Sequence, residues 1–302
     1  VLPPTTGKLL LDPQVTAGDA AFLLLHRDQE EFASLGTQVV TTEDPEAVHD
    51  MRVAARRIRV ALKVFAAFLP AGLTSQETHV KWMFHLLGEV RDLDIEINLL
   101  TTTCDFADSE VIDLIREERI AAKERVNEAI RSDRYTSLIS EARTILSKGP
   151  SKVRGLAAVP LLAAAPDLAE RAFRQTRKIG QRIRGSSSDE NIHRLRKSAK
   201  RLRYTLEFFS DLFPERVEHL IKELKNVQDL LGERQDRVIL AGHLRRLGST
   251  GEAHKLSCDL EAEAKAMAKD IHPALRRALG KPWKRLHKDM VKRRKDLWKS
   301  AG

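Results

Sequence analysis

His49-Asp50-Met51-Arg52-Val53-Ala54-Ala55-Arg56-Arg57-Ile58-Arg59 is written a second time, in altered form, as His193-Arg194-Leu195-Arg196-Lys197-Ser198-Ala199-Lys200-Arg201-Leu202-Arg203. The shift of 144 residues that carries one stretch onto the other also carries Leu62 onto Leu206, Phe65 onto Phe209 and Pro70 onto Pro214. It takes Leu86-Leu87-Gly88-Glu89 onto Leu230-Leu231-Gly232-Glu233 as well. One gapless offset sustained over this distance marks an internal repeat. At about 100° per residue, His49, Arg52, Arg56 and Arg59 fall within a helical arc of about 80°, and Met51, Ala55, Ile58, Leu62 and Phe65 fill the neighbouring sector. His193, Arg196, Lys200 and Arg203 repeat the pattern beside Leu195, Ala199, Leu202, Leu206 and Phe209. Each cationic row therefore borders the core stripe instead of lying opposite it.

Abundant Ala, Leu, Glu, Lys and Arg, only 5% aromatic residues and long stretches of helical periodicity predict an all-α protein. The expected helices are residues 16–35, 45–69, 75–100, 108–147, 166–183, 189–212, 214–247, 251–279 and 282–300. Asp44-Pro45-Glu46 and Ser188-Asp189-Glu190 supply a cap and an acidic first turn ahead of each repeated helix, and Pro70 and Pro214 are read as their ends. The Gly- and Pro-bearing residues 150–165 read as a linker. It separates a first four-helix half (1–149) from a second (166–302), the number that closes an antiparallel bundle. The second half carries an additional helix from Pro282 onward, rich in Lys and Arg, read as a solvated appendage.

A formal net charge of +9 and an isoelectric point near 9.6 favour a polyanionic partner: nucleic acid, polyphosphate or an acidic membrane surface. Cys104 and Cys258 do not correspond under the 144-residue shift, so they suggest neither a disulfide framework nor a paired metal site, and a reducing cytoplasm fits them. The most apolar stretch, Leu156–Ala165, is too short to span a bilayer and contains Pro160, so no membrane insertion is expected. No charged start followed by an apolar core marks a signal peptide, while the opening at Val1 leaves room for a removed leader.

Like charges lining a groove between helices repel one another and lose hydration, a cost that a counter-anion relieves. At 1.5 Å per residue each row is about 15 Å long, enough to follow several phosphates of an extended chain. Arginine's planar fork holds two phosphate oxygens at once, and histidine adds a donor that responds to pH. A single row of this kind is ordinarily a solvated face paired with acids nearby. Its repetition, with His leading both copies, shifts the reading to an anion site.

These residues resemble the CHAD family, the conserved histidine α-helical domain. Val48–Arg59 is similar to its V-H-x-M-R-V-x-x-R-R-x-R start, and Ile192–Tyr204 to its L-H-x-L-R-x-x-x-K-R-L-R-Y segment. Leu87-Gly88-Glu89-Val90-Arg91-Asp92-Leu93-Asp94 follows the family's L-G-x-x-R-D-x-D. Residues 231–238 follow it loosely, with Arg237-Val238 breaking the final acidic pair. The resemblance covers roughly residues 15–279. It implies two four-helix bundles related by a pseudo-two-fold axis, with a basic groove between them that binds inorganic polyphosphate. It further implies association with polyphosphate granules and no catalysis. Carried over by position, the binding residues are His49, Arg52, Arg56, Arg59, His193, Arg196, Lys200 and Arg203.

A further row, Arg171, Arg174 and Lys178 with Arg182, could extend this site. Arg116, Arg119 and Lys123 lie among Glu117, Glu118 and Glu124 and read as salt-bridged instead. Gly88 and Gly232 inside helical patterns suggest close helix crossings. Histidine spacing supports no metal site, and no phosphate-cradling glycine loop is present, so neither cofactor nor metal is expected. The alternative to polyphosphate is non-specific nucleic-acid binding on the same basic surface, disfavoured by the scarcity of aromatic residues for base stacking.

Overall fold

The computed structural model describes residues 11–12, 14–42, 44–103, 110–149, 155–183, 188–247 and 251–300, and among them the protein is all-α. The only extended pairing among the described residues is one bridge between Thr16 and Pro160. The helices are α1 (Ala17–Thr41), α2 (Pro45–Val64), a single turn α3 (Ala71–Thr74), α4 (Glu77–Thr103), α5 (Glu110–Arg131) and α6 (Asp133–Ser147). They continue with α7 (Leu161–Gly180), α8 (Asp189–Glu207), α9 (Pro214–Arg246), α10 (Gly251–Ala278) and α11 (Lys281–Ser300). The chain divides into two compact units, Val1–Leu161 and Leu162–Gly302.

Side-chain caps start several of the helices. Asp44 accepts the Glu46 amide at the start of α2 and Ser188 the Asn191 amide at the start of α8, each answering orphan amides of a first turn. Both repeated helices stop several residues before the prolines expected to end them. Pro70 instead precedes α3, and Pro214 occupies the first turn of α9, where its missing amide hydrogen costs nothing. The expected helix 108–147 is two helices, because the Ser132 hydroxyl accepts the Tyr135 amide at 3.3 Å and starts α6 afresh. Tyr135 then reaches α1. Its hydroxyl would lie 2.2 Å from a Cβ at residue 36, so Gly36 is required by this close approach.

The end of the first unit and the last helix of the second depart from expectation. Residues 155–158 form a 3-10 turn and α7 already begins at Leu161, inside the stretch read as linker, with Pro166 accommodated within the helix. The Leu161 amide donates to the Val15 carbonyl at 2.8 Å and the Ala17 amide to the Val159 carbonyl at 2.8 Å, which tethers this segment to the approach to α1. The basic helix α11 is no appendage. Trp283, Leu286 and Met290 are buried, the Trp283 ring lies flat on Phe173, and Arg293 donates to the Leu212 carbonyl at 2.7 Å. Its cations occupy one face and its apolar residues the other, so composition concealed an amphipathic helix.

The cores of the two units use the repeat directly. Ala55, Ile58, Leu62 and Phe65 are buried in the first unit, as are Ala199, Leu202, Leu206 and Phe209 in the second. The same stripe thus faces inward at positions 144 residues apart, and each cationic row runs along its edge.

Candidate anion sites on the repeated helices

In the first unit α2 packs on α4, and the side chains of His49, Arg52, Arg56 and Arg59 are all half-buried along that seam. Three of the guanidinium groups gather on one ring. The Phe84 ring centre on α4 lies 4.9 Å from the Arg52 guanidinium carbon, 5.3 Å from that of Arg56 and 4.9 Å from that of Arg59. Such contacts use the flat face of a guanidinium and the electron-rich face of the ring, leaving the N–H edge for hydrogen bonding. Arg59 also donates to Glu77 at 3.0 Å, and Lys63 lies 3.1 Å from the same carboxylate. Burial pushes the Glu77 carboxyl up, but these two donors outweigh it and hold it below its ordinary value.

Phe84, Gly88 and Arg91 form one stripe of α4, at spacings of four and three residues. A Cβ at Gly88 would meet Arg52 Nε at 3.4 Å, so the glycine lies beneath a cation and not at a backbone crossing as the sequence suggested. His49 lies near Arg91. Burial lowers the His49 pKa, Arg91 and Arg56 lower it further, and Glu46 and Asp50 act in the opposite direction.

The second unit places its counterparts at the same offset. His193 Nδ1 lies 3.2 Å from Gln235 Oε1, where the first unit has His49 and Arg91. A Cβ at Gly232 would meet Arg196 Nη2 at 3.8 Å, matching Arg52 over Gly88. Arg203 donates Nε to Gln228 at 2.9 Å, and Gln228 stands at the position of Phe84. Arg203 also donates Nη1 to Glu207 at 2.5 Å and lies over the Tyr204 ring at 4.3 Å. His193, Arg196, Lys200 and Arg203 are half-buried like their partners in the repeat.

Other cationic rows divide differently. Arg171, Arg174 and Lys178 on α7 and Arg182 just beyond it are exposed, and Arg174 donates to Glu170 at 2.5 Å one turn away. Burial lowers the Arg201 pKa on α8 and the Arg171 charge lowers it further, so α7 does bring a cation close to α8. On α5, Arg116 pairs with Asp113 and Arg119 with Asp94, each at 2.9 Å. Lys123 is buried and donates to the carbonyls of Val39 (2.8 Å) and Thr42 (3.2 Å), a cation placed on the C-terminal end of α1. That capping role was invisible in sequence because α1 lies some eighty residues earlier.

Among the described residues, one group offers metal-ligand atoms within 4.8 Å of each other: Glu46, His49 and Asp50. Histidine spacing gives no hint of this group, because its other two members are carboxylates. Arg91, 4.0 Å from Glu46, competes with a cation there. Cys258 is exposed and free, while Cys104 lies outside the described residues. None of the described helices is long and apolar enough to cross a membrane.

Half-buried arginine and histidine rows, repeated at one offset on an all-α frame, define a class of helical protein built around clustered cations. A sequence model of the CHAD domain matches residues 25–245, and the chain belongs to the CHAD domain family. Two curated relatives from Mycobacterium tuberculosis, the uncharacterized proteins MT2285 (strain CDC 1551 / Oshkosh) and Rv2226 (strain ATCC 25618 / H37Rv), are each 26% identical over 231 residues. The match covers 72% of this chain and 43% of either relative, so the chain spans less than half their length. The crystal structure of the CHAD domain from the plant Ricinus communis superposes with a TM-score of 0.73 at 26% identity, covering 90% of this chain and 94% of that one. PptA from Streptomyces chartreusis shares the fold, with a TM-score of 0.65 at 18% identity over 89% of this chain and 99% of that one.

Proposed function

We propose that this protein binds inorganic polyphosphate through the cationic rows of α2 and α8, without cleaving it, and associates with polyphosphate granules in the cytoplasm. The observation that carries the reading is the convergence of Arg52, Arg56 and Arg59 on Phe84: three like charges held together at a half-buried seam. Gathering three like charges raises the local positive potential, which a polyanion relieves, and the ring orders the guanidinium groups for directional contact with phosphate oxygens. The family is associated with polyphosphate-related proteins, which supports the choice of anion. The row on α8 places cations at matched positions. Guanidinium and ammonium groups grip phosphate but activate no water, so the rows themselves supply binding and not hydrolysis.

The test replaces Arg52, Arg56, Arg196 and Lys200 by Gln together. Polyphosphate binding at about 150 mM salt should be lost with the helical circular dichroism unchanged, because the screening length there is about 8 Å and loose surface attraction is weak. Competition between long-chain polyphosphate and duplex DNA separates the readings. Strong preference for polyphosphate is expected; equal competition would favour the nucleic-acid reading, and unchanged affinity in the folded variant would remove the proposed site.

A further inference from the structure

A cavity of about 1100 Å³ opens in the second unit around the turn from α10 to α11. Its size is just above the usual range of small-molecule pockets, about 300 to 1,000 Å³. The floor is aromatic and apolar. Phe173 and Trp283 lie parallel with ring centres 4.0 Å apart and planes within 6°, and His287, one turn along α11, continues the stack 5.3 Å from Trp283. Leu275 and Leu279 complete that floor. Phe173 and Trp283 are each only 4% exposed, whereas the His287 side chain is 34% exposed, so the stack presents its histidine end to the cavity.

The rim is cationic: Arg177, Arg276, Arg277, Lys281 and Lys284 surround the opening, all of them exposed. Two carboxylates, Glu170 and Glu223, share it. Glu170 is already engaged by Arg174 at 2.5 Å and lies 3.6 Å from His287. The lining therefore combines a ring-bearing floor with an excess of positive charge, and none of the repeated-row residues contributes to it.

We propose that this cavity is a nucleoside phosphate site, with the base laid against the His287 end of the stack and the phosphates on the rim around Arg277 and Lys281. An inorganic polyanion would satisfy the rim and leave the apolar floor facing water. A neutral aromatic molecule would use the floor alone. A nucleotide joins both features in one ligand, since every base has a face that stacks and the phosphates match guanidinium forks. This site is separate from the rows on α2 and α8, and its assignment stands whether or not those rows hold polyphosphate.

The experiment uses the full chain with Trp82→Phe and Trp298→Phe, which leaves Trp283 as the single remaining tryptophan of three. Its fluorescence is titrated with ATP, tripolyphosphate and adenosine in the absence of divalent metal. Saturable quenching by ATP is expected, with a Kd at least about tenfold below that of either fragment. Arg277→Glu with Lys281→Glu should weaken ATP by a similar factor at an unchanged thermal midpoint, and leave long-chain polyphosphate affinity within a few-fold. ATP binding no more tightly than tripolyphosphate would overturn the proposal, because the cavity would then collect charge only. So would ATP affinity that survives the charge reversals but disappears when Arg52, Arg56, Arg196 and Lys200 are neutralised, since the rows would then be holding the nucleotide.

Discussion

The α2–α4 seam and the α8–α9 seam hold equivalent cations by different chemistry. Where the first unit places Phe84, the second places Gln228, and where the first has Arg91 the second has Gln235. The consequence falls on the arginines. In the first unit three guanidinium groups lie against one ring, and Arg59 also donates to Glu77. In the second, Arg203 directs Nε to the Gln228 amide oxygen and Nη1 to Glu207. The acids are also placed differently: Glu77 comes from α4 to meet Arg59 in the first unit, while Glu207 sits one turn from Arg203 on the same helix in the second. A repeat can therefore conserve where charge is gathered while changing the groups that hold it.

If the difference matters, neutralising one row will not equal neutralising the other. Arg52→Gln, Arg56→Gln and Arg59→Gln together should weaken polyphosphate binding by about a hundredfold, against about tenfold for Arg196→Gln, Lys200→Gln and Arg203→Gln, because the Phe84 ring orders three guanidinium forks together, whereas Gln228 takes the ring's place in the second seam and Lys200 offers a less directional ammonium. Both triple variants should flatten the dependence of log Kd on log salt by a similar amount, about 0.7 for each cation removed if polyphosphate behaves like a single-stranded polyanion. Isothermal titration at several salt concentrations reads both quantities. Equal losses of affinity would show that the seams are interchangeable and the aromatic platform irrelevant.

Exchanging the distinguishing residue should move the halves toward each other by a smaller step. Phe84→Gln removes the shared ring and is expected to cost about fivefold in polyphosphate affinity, in line with about 0.5–1 kcal/mol for an exposed cation–π contact. The reciprocal Gln228→Phe should improve binding by freeing Arg203 Nε. It also removes the hydrogen bond from Gln228 to the Ala199 carbonyl, so its thermal midpoint is measured alongside. A loss of affinity in Phe84→Gln no larger than in a surface control such as Lys81→Gln would mean that the ring is a packing residue only.

Much of this arrangement was readable in the chain. The 144-residue offset, the helical class and the placement of each cationic row beside the core follow from residue spacing, because burial of a helix is dictated by a period of 3.6 residues. What faced the rows was not readable. Phe84 and Gln228 lie within ordinary amphipathic patterns on other helices, and nothing local distinguishes a ring that carries three arginines from one that fills a core. Gly88 and Gly232 suggested close helix crossings, whereas a Cβ at either would meet an arginine side chain at ordinary contact distance. The break at Ser132 left a cap followed by an acidic residue, Ser132-Asp133, which a longer periodic stretch obscured. The packing of α11 was hidden by its charge: Trp283, Leu286 and Met290 form a buried stripe within a strongly basic sequence.

The smallest expected effect concerns the leading histidines. His49 is held below its ordinary pKa first by burial and then by Arg91, whereas His193 faces the neutral Gln235. A base whose pKa is lower folded than unfolded takes up protons more readily in the unfolded chain. It therefore carries no penalty above pH about 6.5 and destabilises the fold as pH falls through that value toward the folded pKa. A bound polyanion works in the opposite direction, favouring protonated His49, so polyphosphate affinity should rise as pH falls below about 6.5. Arg91→Gln makes the first seam resemble the second, and should raise the His49 pKa toward 6.5 in an NMR titration of the ring carbons. Because burial is the larger cause and remains, the increase should stop short of the unperturbed value. Below pH about 6.5 the variant should lose less stability than the parent, while polyphosphate affinity at pH 7 changes by about twofold or less, with proton uptake on binding gained but the Arg91 charge lost. A His49 pKa indifferent to Arg91→Gln would mean that Arg91 does not act on it, and that the Arg91 and Gln235 positions do not distinguish the two histidines.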